Sequence, residues 1–361
     1  PDAGSRSCDP DGKSGGVRKM RDQFGRNIDY MRVSVTDRCN LRCVYCMPAE
    51  GVPYVSHQEI LSFDEIVRIC RIGAELGITK VKLTGGEPLV RKGLPELLKM
   101  LKKIPGIEQV TLTTNGTLLK GQINELVSSG LDSVNISMDT LDADKYREVT
   151  RGGSVEKVLE GLDAAAEFPE LRVKVNCVPL KGADNEEYIR LALLAKEGKA
   201  DVRFIEMMPI GMGKVFAGQS GEEIYSILEQ AYGEAEGYNG RLGNGPAVYM
   251  QFPGFQKQVG FISAVSHQFC GSCNRVRLTS EGYLKPCLQY AGGTDLKALL
   301  RNGEDDDTIR REMEHTIYSK PAGHQFSAVY DENAGECDKN TGNTNSEGGT
   351  FERKEMSRIG G

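Results

Sequence analysis

The chain has 361 residues, a formal net charge of −6 and 39% hydrophobic residues. This length allows one large barrel or two ordinary domains with a sizeable core, and the charge balance argues against nucleic acid as the main partner. No apolar run approaches the ~20 residues of a membrane span. The start of the chain is polar and glycine-rich without the pattern of a signal peptide, so we interpret residues 1–19 as a flexible leader.

Short β-branched segments alternate with longer segments of helical period from about residue 31 to 206. The predicted strands are "MRVSVT" (31–36), "KVKLTG" (80–85), "QVTLTTN" (109–115), "SVNISMD" (133–139), "LRVKVNCV" (171–178) and "DVRFIEMM" (201–208). Between the first two, Ser62 and Glu65 form a capping-box pattern and Gly77 can end the helix. The alternation predicts parallel strands that curl into a partial or complete βα barrel or open into a doubly wound sheet. In both, the active site lies at the carboxyl ends of the strands.

The alternation ends at about residue 210. A loop, "GMGKVFAGQSG", precedes one predicted helix (222–232), residues 246–290 are typical of short strands and turns, and residues 294–318 are predicted to be helical. We therefore divide the chain into a barrel region (20–210), a C-terminal region (211–318), and a mobile polar segment with a Gly-Gly tail (319–361). Residues 327–350 are the most polar part of that last segment.

Three cysteines follow the first strand with the spacing C-x3-C-x2-C: Cys39, Cys43 and Cys46. A thiolate triad suits an iron–sulfur cluster in which one iron takes no cysteine. Two alternatives stay open on spacing alone, a Cys3His zinc site completed by His57 and three reduced structural thiols. Clustered cysteines indicate metal in a reducing compartment and argue against a disulfide framework. The isolated cysteines fit no triad and are interpreted as structural or incidental: Cys8, Cys70, Cys177 and Cys337.

A second triad has the spacing C-x2-C-x13-C and consists of Cys270, Cys273 and Cys287. An isolated module of this type is more often a zinc site, and His267 is the only histidine close to it in sequence. Between these cysteines, strand alternation puts Arg275 and Arg277 on one face. Two guanidinium groups beside a metal site suit a phosphorylated or electron-rich ligand, although such a pair can also be a solvated strand face.

Further motifs accompany the two triads. Tyr45 precedes the last cysteine of the first triad, and "TGGEP" (84–88) ends the second predicted strand. These features resemble the radical S-adenosylmethionine superfamily. The ordered set "FGR", "DRCNLRCVYCMP", "LTGGEPLVR", "TTNG", "NISMDTLD", "VKVNCV", "VRFIEMMP", "FCGSCNRVRLT", "LKPCL" and a terminal "IGG" resembles the GTP 3′,8-cyclase family of molybdenum cofactor biosynthesis, over residues 20–318 and the last six. The resemblance implies an α/β fold, a partial (βα)6 TIM-like barrel whose C-terminal extension carries a second iron–sulfur cluster.

Roles for individual residues follow from this resemblance. It implies that each triad holds a [4Fe–4S] cluster. It implies S-adenosylmethionine contacts by Tyr45, Gly86, Ser137 and Met208. It implies GTP contacts by Arg32, Lys82, Thr113, Lys174, Arg275 and Arg277. Catalytic support is implied for the two arginines of the second cluster region and for a flexible tail ending in Gly360 and Gly361. The residues themselves support the lysines, because a lysine inside an apolar strand is costly unless it meets an anion.

The implied reaction is radical chemistry on GTP. A 5′-deoxyadenosyl radical takes the 3′ hydrogen, and C3′ then bonds to C8 of guanine to give (8S)-3′,8-cyclo-7,8-dihydroguanosine 5′-triphosphate. The resemblance further implies a lyase with two [4Fe–4S] clusters. It implies two partners, a flavodoxin- or ferredoxin-like electron donor and a downstream cyclic pyranopterin monophosphate synthase. The implied location is the cytoplasm or, in a eukaryote, the mitochondrial matrix. We expect no nucleic-acid or membrane partner, and a homodimer is a further hypothesis. The rivals are a peptide-modifying radical enzyme with an auxiliary cluster and a zinc-stabilised binding module.

Overall fold

The computed structural model describes residues 19–53, 55–240, 242–326, 351–352 and 354–359. Six parallel strands form its centre, and each pairs with the next in chain order. They are β1 (Tyr30–Ser34), β2 (Lys80–Thr84), β3 (Gln109–Thr114), β4 (Ser133–Ser137), β5 (Arg172–Cys177) and β6 (Asp201–Ile205). All six predicted strands are confirmed.

Helices connect these strands and cover one face of the sheet. They are α1 (Phe63–Glu75), α2 (Leu94–Lys102), α3 (Ile123–Ser128), α4 (Ala143–Thr150), α5 (Val155–Ala166) and α6 (Asn185–Lys196). The predicted capping box at the start of α1 is present, because Ser62 Oγ accepts from the Glu65 N–H and the Glu65 carboxylate accepts from the Ser62 N–H. Gly77 follows α1 with a φ of 100°, the left-handed backbone that a helix end favours.

The C-terminal region lengthens the sheet at both edges. Its elements are α7 (Gly221–Tyr232), β7 (Glu236–Gly237), β8 (Val248–Gln251), β9 (Val259–Ile262), β10 (Arg275–Leu278), β11 (Tyr283–Lys285), β12 (Thr294–Asp295), α8 (Leu296–Arg301) and α9 (Asp306–Tyr318). Strand β10 pairs with β1, β9 pairs with β6, and the strand order is β12-β11-β10-β1-β2-β3-β4-β5-β6-β9-β8-β7. This unclosed sheet confirms the predicted partial barrel with a C-terminal extension.

Two local predictions for the C-terminal region need correction. The predicted helix at 294–318 starts with the short strand β12 and is broken between α8 and α9. The break has a local cause, because Gly303 has a φ of 82° and the Asp305 side chain caps α9 by accepting from the Thr308 N–H. The predicted loop after residue 210 contains a short 3-10 turn, Gly211–Val215.

The two faces of the central sheet differ in chemistry. Alternate residues such as Met31, Val33 and Val81 are fully buried against the helices and form the core. On the other face, paired positions of four adjacent strands carry polar side chains in one row: Arg277, Arg32, Lys82 and Thr111. The sheet therefore has an apolar outer face and a cationic inner face.

Candidate active site

Both cysteine triads line one cavity of about 590 Å³ on the inner face of the sheet. Every candidate site residue that the structure describes lines it too: Arg32, Tyr45, Lys82, Gly86, Thr113, Ser137, Lys174, Met208, Arg275 and Arg277. His57 and His267 are exposed and do not line it, so neither completes a zinc site. Cys70 and Cys177 are buried in the core, as structural residues should be. Cys8, Cys337, Gly360 and Gly361 lie outside the described residues.

The first triad is held against the end of β2 by backbone hydrogen bonds. The Gly86 N–H donates to the Thr36 carbonyl at 2.8 Å, and the Glu87 N–H donates to the Arg38 carbonyl at 2.7 Å. A Cβ on Gly86 would lie 2.6 Å from the Arg38 carbonyl carbon, so only glycine allows this approach. The glycines of "TGGEP" thus allow the backbone at the end of β2 to contact the backbone of the triad loop. Two of the backbone N–H groups of this motif, those of Gly86 and Glu87, already donate to that loop.

Two carboxyl groups lie beside the first triad, Glu87, which is buried, and Asp139, which is partly buried. Glu87 accepts hydrogen bonds from Thr114 Oγ1 at 2.7 Å and from the Asn115 N–H at 2.6 Å, which joins the ends of β2 and β3. The Tyr45 hydroxyl donates to Asp139 at 2.5 Å. Burial raises the pKa of Glu87 to about 7 and that of Asp139 to about 6. A cationic ligand at this end of the cavity would find acceptors already in place.

A band of cations crosses the middle of the cavity. It consists of Arg32 on β1, Lys82 on β2, Lys174 on β5 and Arg203 on β6, and all four line the cavity. Burial, together with the neighbouring cations, holds the pKa of Lys82 well below its ordinary range. Lys82 makes no ion pair with a described residue. Grouped buried cations of this kind favour a polyanionic ligand.

Lys174 is the member of this band that contacts a loop. Its ammonium donates to the Leu242 carbonyl and lies 3.3 Å from the Tyr249 hydroxyl. Burial lowers the pKa of Lys174 to about 7, and Arg203 adds to the shift. The neighbouring Arg203 is itself fixed, because its Nε donates to Asn176 Oδ1 at 2.9 Å.

The second triad is held by cations and by the chain after α9. Arg26 of the "FGR" motif donates to the carbonyls of Cys270 at 2.8 Å, Pro321 at 2.6 Å and Ala322 at 2.9 Å. Its Nε also pairs with Asp22 at 2.5 Å, where both side chains are buried. Arg26 therefore ties the loop of the second triad to the segment after residue 319.

One thiol of the second triad, Cys273, differs in pKa from the thiols of the first triad. Burial raises the pKa of Cys46 to about 12. Burial also disfavours the Cys273 thiolate, but Lys320 and Arg275 outweigh it and lower the pKa of Cys273 to about 7. The first triad thus lies beside carboxyls, and the second lies beside cations.

The donor sets fit two iron–sulfur clusters. Each triad presents three thiols to the cavity, and no other cysteine of the described chain lines it. Within the described ranges, no three His, Cys, Asp or Glu side chains converge as a single-ion metal site requires. Three thiols that line one cavity suit a cluster with one iron left for a small-molecule ligand.

Some residues of the site were not predicted from the sequence. Arg203 was missed, although it is a cation inside an apolar strand and so carries the signal that identified Lys82 and Lys174. Arg26, Lys320 and His324 lie far in sequence from the triad they contact, and no local pattern connects them to it.

The last described residues reach the cavity. Glu352 forms a buried ion pair with Lys285, and the Phe351 ring packs on Tyr290. Farther on, Ile359 is fully buried in a small cluster with Ile210, Leu288 and Phe326, while Met356 and Ser357 line the cavity. The end of the chain thus docks between the two triads up to residue 359.

Two family models match the chain. The Radical SAM superfamily model covers residues 33–195, and the Molybdenum Cofactor Synthesis C model covers residues 200–326. The second model contains the second triad.

Several relatives are similar over nearly their whole length. The GTP 3′,8-cyclase of Clostridium perfringens (strain 13 / Type A) is 45% identical over 308 residues, which are 85% of this chain and 95% of that protein. The GTP 3′,8-cyclase of Petrotoga mobilis is 41% identical over 348 residues, which are 95% of this chain and 100% of that protein.

A solved structure has a similar fold. Streptococcus suis SuiB bound to the precursor peptide SuiA superposes with a TM-score of 0.57 at 16% identity, covering 87% of this chain and 68% of that one. Identity this low shows a common fold and says nothing of a peptide substrate here.

The comparisons decide between the expected family and its rivals. They confirm the resemblance to radical S-adenosylmethionine enzymes, and with it the enzyme class and the cofactors, [4Fe–4S] clusters and S-adenosylmethionine. The zinc-stabilised binding module is thereby set aside. The chain belongs to the GTP 3′,8-cyclase family of radical S-adenosylmethionine enzymes.

Proposed function

We propose that this chain converts GTP to (8S)-3′,8-cyclo-7,8-dihydroguanosine 5′-triphosphate, the first step of molybdenum cofactor biosynthesis. One observation carries the proposal: the two triads and the cation band line the same cavity. A cofactor bound at one end and a nucleotide bound along the band would meet there. Holding both in one orientation is the main way in which the protein accelerates such a reaction.

The triphosphate is bound by the cation band. Arg32, Lys82 and Lys174 take its oxygens, with Thr113 as a neutral donor, and Arg203 joins them because it lines the same part of the cavity. Arginine forks suit phosphate oxygens in pairs, and buried lysines supply point charges. The carboxyl groups Glu87 and Asp139 lie beside the first triad and not within the cation band, so they do not repel the triphosphate there.

The cofactor is held at the first triad. Cys39, Cys43 and Cys46 ligate the cluster, and Tyr45, Gly86, Ser137 and Met208 surround S-adenosylmethionine; all line the cavity. When bound, this pair of cofactors supplies the radical chemistry that removes a hydrogen atom from the ribose. Glu87 keeps the "TGGEP" turn in place through Thr114 and Asn115, so the turn is positioned before the cofactor arrives.

The guanine base is held at the second triad. Cys270, Cys273 and Cys287 ligate the auxiliary cluster, which leaves one iron for the base. Arg275 stacks over the Phe269 ring with its guanidinium carbon 5.0 Å from the ring centre, so the stack fixes its direction. Arg275 and Arg277 line the cavity beside the cluster, where they can contact both the base and the developing product.

The tail has a supporting role. Gly360 and Gly361 follow residues that already dock beside the cavity, with Ser357 in its lining. We place the two glycines in the active site because their lack of side chains would let them enter a narrow space.

Partners follow from the chemistry. An unstable cyclised nucleotide requires a second enzyme, for which cyclic pyranopterin monophosphate synthase is our candidate. Reduction of the clusters requires an electron donor of flavodoxin or ferredoxin type. Among the described residues, no helix is long and apolar enough to cross a membrane. Reduced thiol triads and a nucleotide substrate favour the cytoplasm, or the mitochondrial matrix in a eukaryote.

The test uses protein reconstituted with iron and sulfide without oxygen, then mixed with S-adenosylmethionine, reductant and one nucleotide. We expect about eight irons per chain. We also expect deoxyadenosine to form when GTP is present and not when ATP or CTP replaces it. Deoxyadenosine formation that ignores GTP would exclude the cyclase and favour the peptide-modifying alternative.

A further inference from the structure

His324 is the one histidine that lines the cavity among the residues the structure describes. Both of its ring nitrogens are buried, and the backbone of Ala264 is the described group close enough to act on the ring as a hydrogen-bond partner. The residue is 8% exposed. One backbone group can pair with one ring nitrogen only, and a buried polar atom without a partner is unfavourable, so a ligand that pairs with the other nitrogen would gain binding free energy.

The position of His324 is fixed by its neighbours. Its backbone N–H lies 3.4 Å from Cys270 Sγ and donates to it. Its ring stacks on Phe326 with the ring centres 4.2 Å apart. The ring is therefore held on the wall of the second triad, where a rigid polar group can select a ligand by its hydrogen bonds.

The surroundings of His324 differ from those of the cation band. Pro286, Leu288 and Phe326 also line this part of the cavity wall, so the ring lies among apolar groups. Phosphate oxygens would bind the arginines and lysines in preference to this imidazole. A flat heterocycle with donors and acceptors on its edge fits both the apolar wall and the ring nitrogen that faces the cavity without a partner.

We propose that His324 hydrogen-bonds to the polar edge of the guanine base and makes the site prefer GTP to ATP. This inference rests on the proposed function, which brings the base to the second triad. Guanine and adenine present opposite donors and acceptors at their six-membered rings, so a fixed partner distinguishes them. A site built around one hydrogen bond rejects the analogue that lacks it, because the buried group then stays unpaired.

The test compares His324→Gln and His324→Phe with the parent holoenzyme. His315→Phe is the matched control, because His315 is exposed on α9 and does not line the cavity. Iron content is measured first, and binding of GTP, ITP and ATP is then measured by equilibrium dialysis without S-adenosylmethionine. We expect His324→Phe to weaken GTP binding about tenfold or more with ATP binding unchanged. His324→Gln should restore most of the preference, and the control should match the parent.

Each other outcome overturns the inference in a distinct way. Equal GTP affinity in His324→Phe and the parent would remove the contact. Loss of about four irons from both variants would mean that His324 supports the cluster and does not read the base. If the parent itself binds no GTP and forms no cyclised product, the proposed function fails as well. If the parent cyclises GTP and His324→Phe still prefers GTP to ATP, this inference alone is refuted.

Discussion

The pockets of the two triads hold equal numbers of thiols but are built in different ways. The first is fixed by backbone hydrogen bonds between strand ends, and the charged groups around it include the carboxyls Glu87 and Asp139 and one cation, Arg42, which donates to the Cys39 carbonyl. The second is fixed by side chains from distant segments, and its charged neighbours are Arg26, Arg275 and Lys320. The difference teaches that ligand count alone does not define a cluster site. The charges around each triad are what suit one to a cationic cofactor and the other to an anionic substrate.

The largest expected effect comes from Gly86→Ala, which adds a side-chain atom where two backbone segments of the first pocket are in contact. The added Cβ would lie 2.7 Å from the Asp37 carbonyl oxygen and 2.6 Å from the Arg38 carbonyl carbon, and both of these are backbone atoms that cannot move aside easily. We expect the triad loop to shift, the iron content to fall from about eight to about four per chain, and product formation to fall by at least about a hundredfold.

Gly237→Ala is the control for this change, since a Cβ at Gly237 meets nothing within 4 Å. Iron and sulfide assays with product analysis measure both variants. A Gly86→Ala protein with full iron content and normal turnover would show that the two backbones are not held as closely as described.

The second pocket is tested by removing its side-chain clamp with Arg26→Ala. Four carbonyls would lose a hydrogen bond and the buried Asp22 would lose its ion-pair partner, and an unpaired buried carboxylate is strongly unfavourable. We expect loss of about four irons, with the first cluster retained and its spectrum unchanged. Arg21→Ala is the matched control, because Arg21 is exposed in the same hairpin. Loss of both clusters together would contradict the independence of the two pockets.

The cation band between the pockets is tested by pH. The pKa of Lys174 is lowered to about 7, so the side chain loses its proton as the pH rises through 7 and then no longer attracts phosphate. We expect GTP affinity to fall about fivefold from pH 7 to pH 8, following the protonated fraction. The groups that face Lys174 are Lys82, Arg172, Asp201, Arg203 and Tyr249.

Lys174→Met should bind GTP more weakly and lose this part of the pH dependence, whereas Lys157→Met, on the exposed side of α5, should keep it. Titration of the γ-phosphate is common to all three proteins and cancels in the comparison. An identical pH profile in Lys174→Met and the parent would remove Lys174 from the phosphate site.

A separate test concerns the docked segment that joins the pockets, residues 351–352 and 354–359. It carries two ion pairs, Lys285–Glu352, which is buried, and Lys354–Glu281, which is partly exposed. Burial lowers the pKa of Lys285 to about 7, so the test is made at pH 6, where this side chain is protonated. Glu352→Gln then leaves a buried cation without its counter-charge and should cost about 3 kcal/mol of docking free energy. Glu281→Gln should cost less than about 1 kcal/mol.

Hydrogen exchange of residues 354–359 measures both changes. Faster exchange in Glu352→Gln alone is the expected result. Equal exchange in the two variants would mean that the buried pair does not hold the end of the chain.

Patterns that act over short distances along the chain made much of the fold predictable. The six central strands follow from β-branched segments with regular spacing, and α1 follows from its Ser62–Glu65 capping box. The pairing of β10 with β1 and of β9 with β6 was not predicted, because nothing local in either strand specifies a partner more than fifty residues away. The break between α8 and α9 was predictable in principle from Gly303 and the Asp305 cap.

The candidate site shows the same difference between short motifs and long-range contacts. The triads, "TGGEP" and the arginine pair are short motifs and were identified directly. Arg26 and His324 were not, since each acts on Cys270 from a remote part of the chain and only folding brings them together. Sequence patterns therefore predicted which residues bind iron, while the structure was needed to find which side chains hold the second triad in place.

The most direct test of the shared cavity uses GTP carrying deuterium at C3′ with the anaerobic holoenzyme, reductant and S-adenosylmethionine. Mass spectrometry of the deoxyadenosine follows where the label goes. If cofactor and nucleotide meet in one cavity as described, deuterium moves from C3′ into the 5′ methyl group of deoxyadenosine. Unlabelled deoxyadenosine formed at an undiminished rate would show that the two ligands do not meet, and would contradict the account.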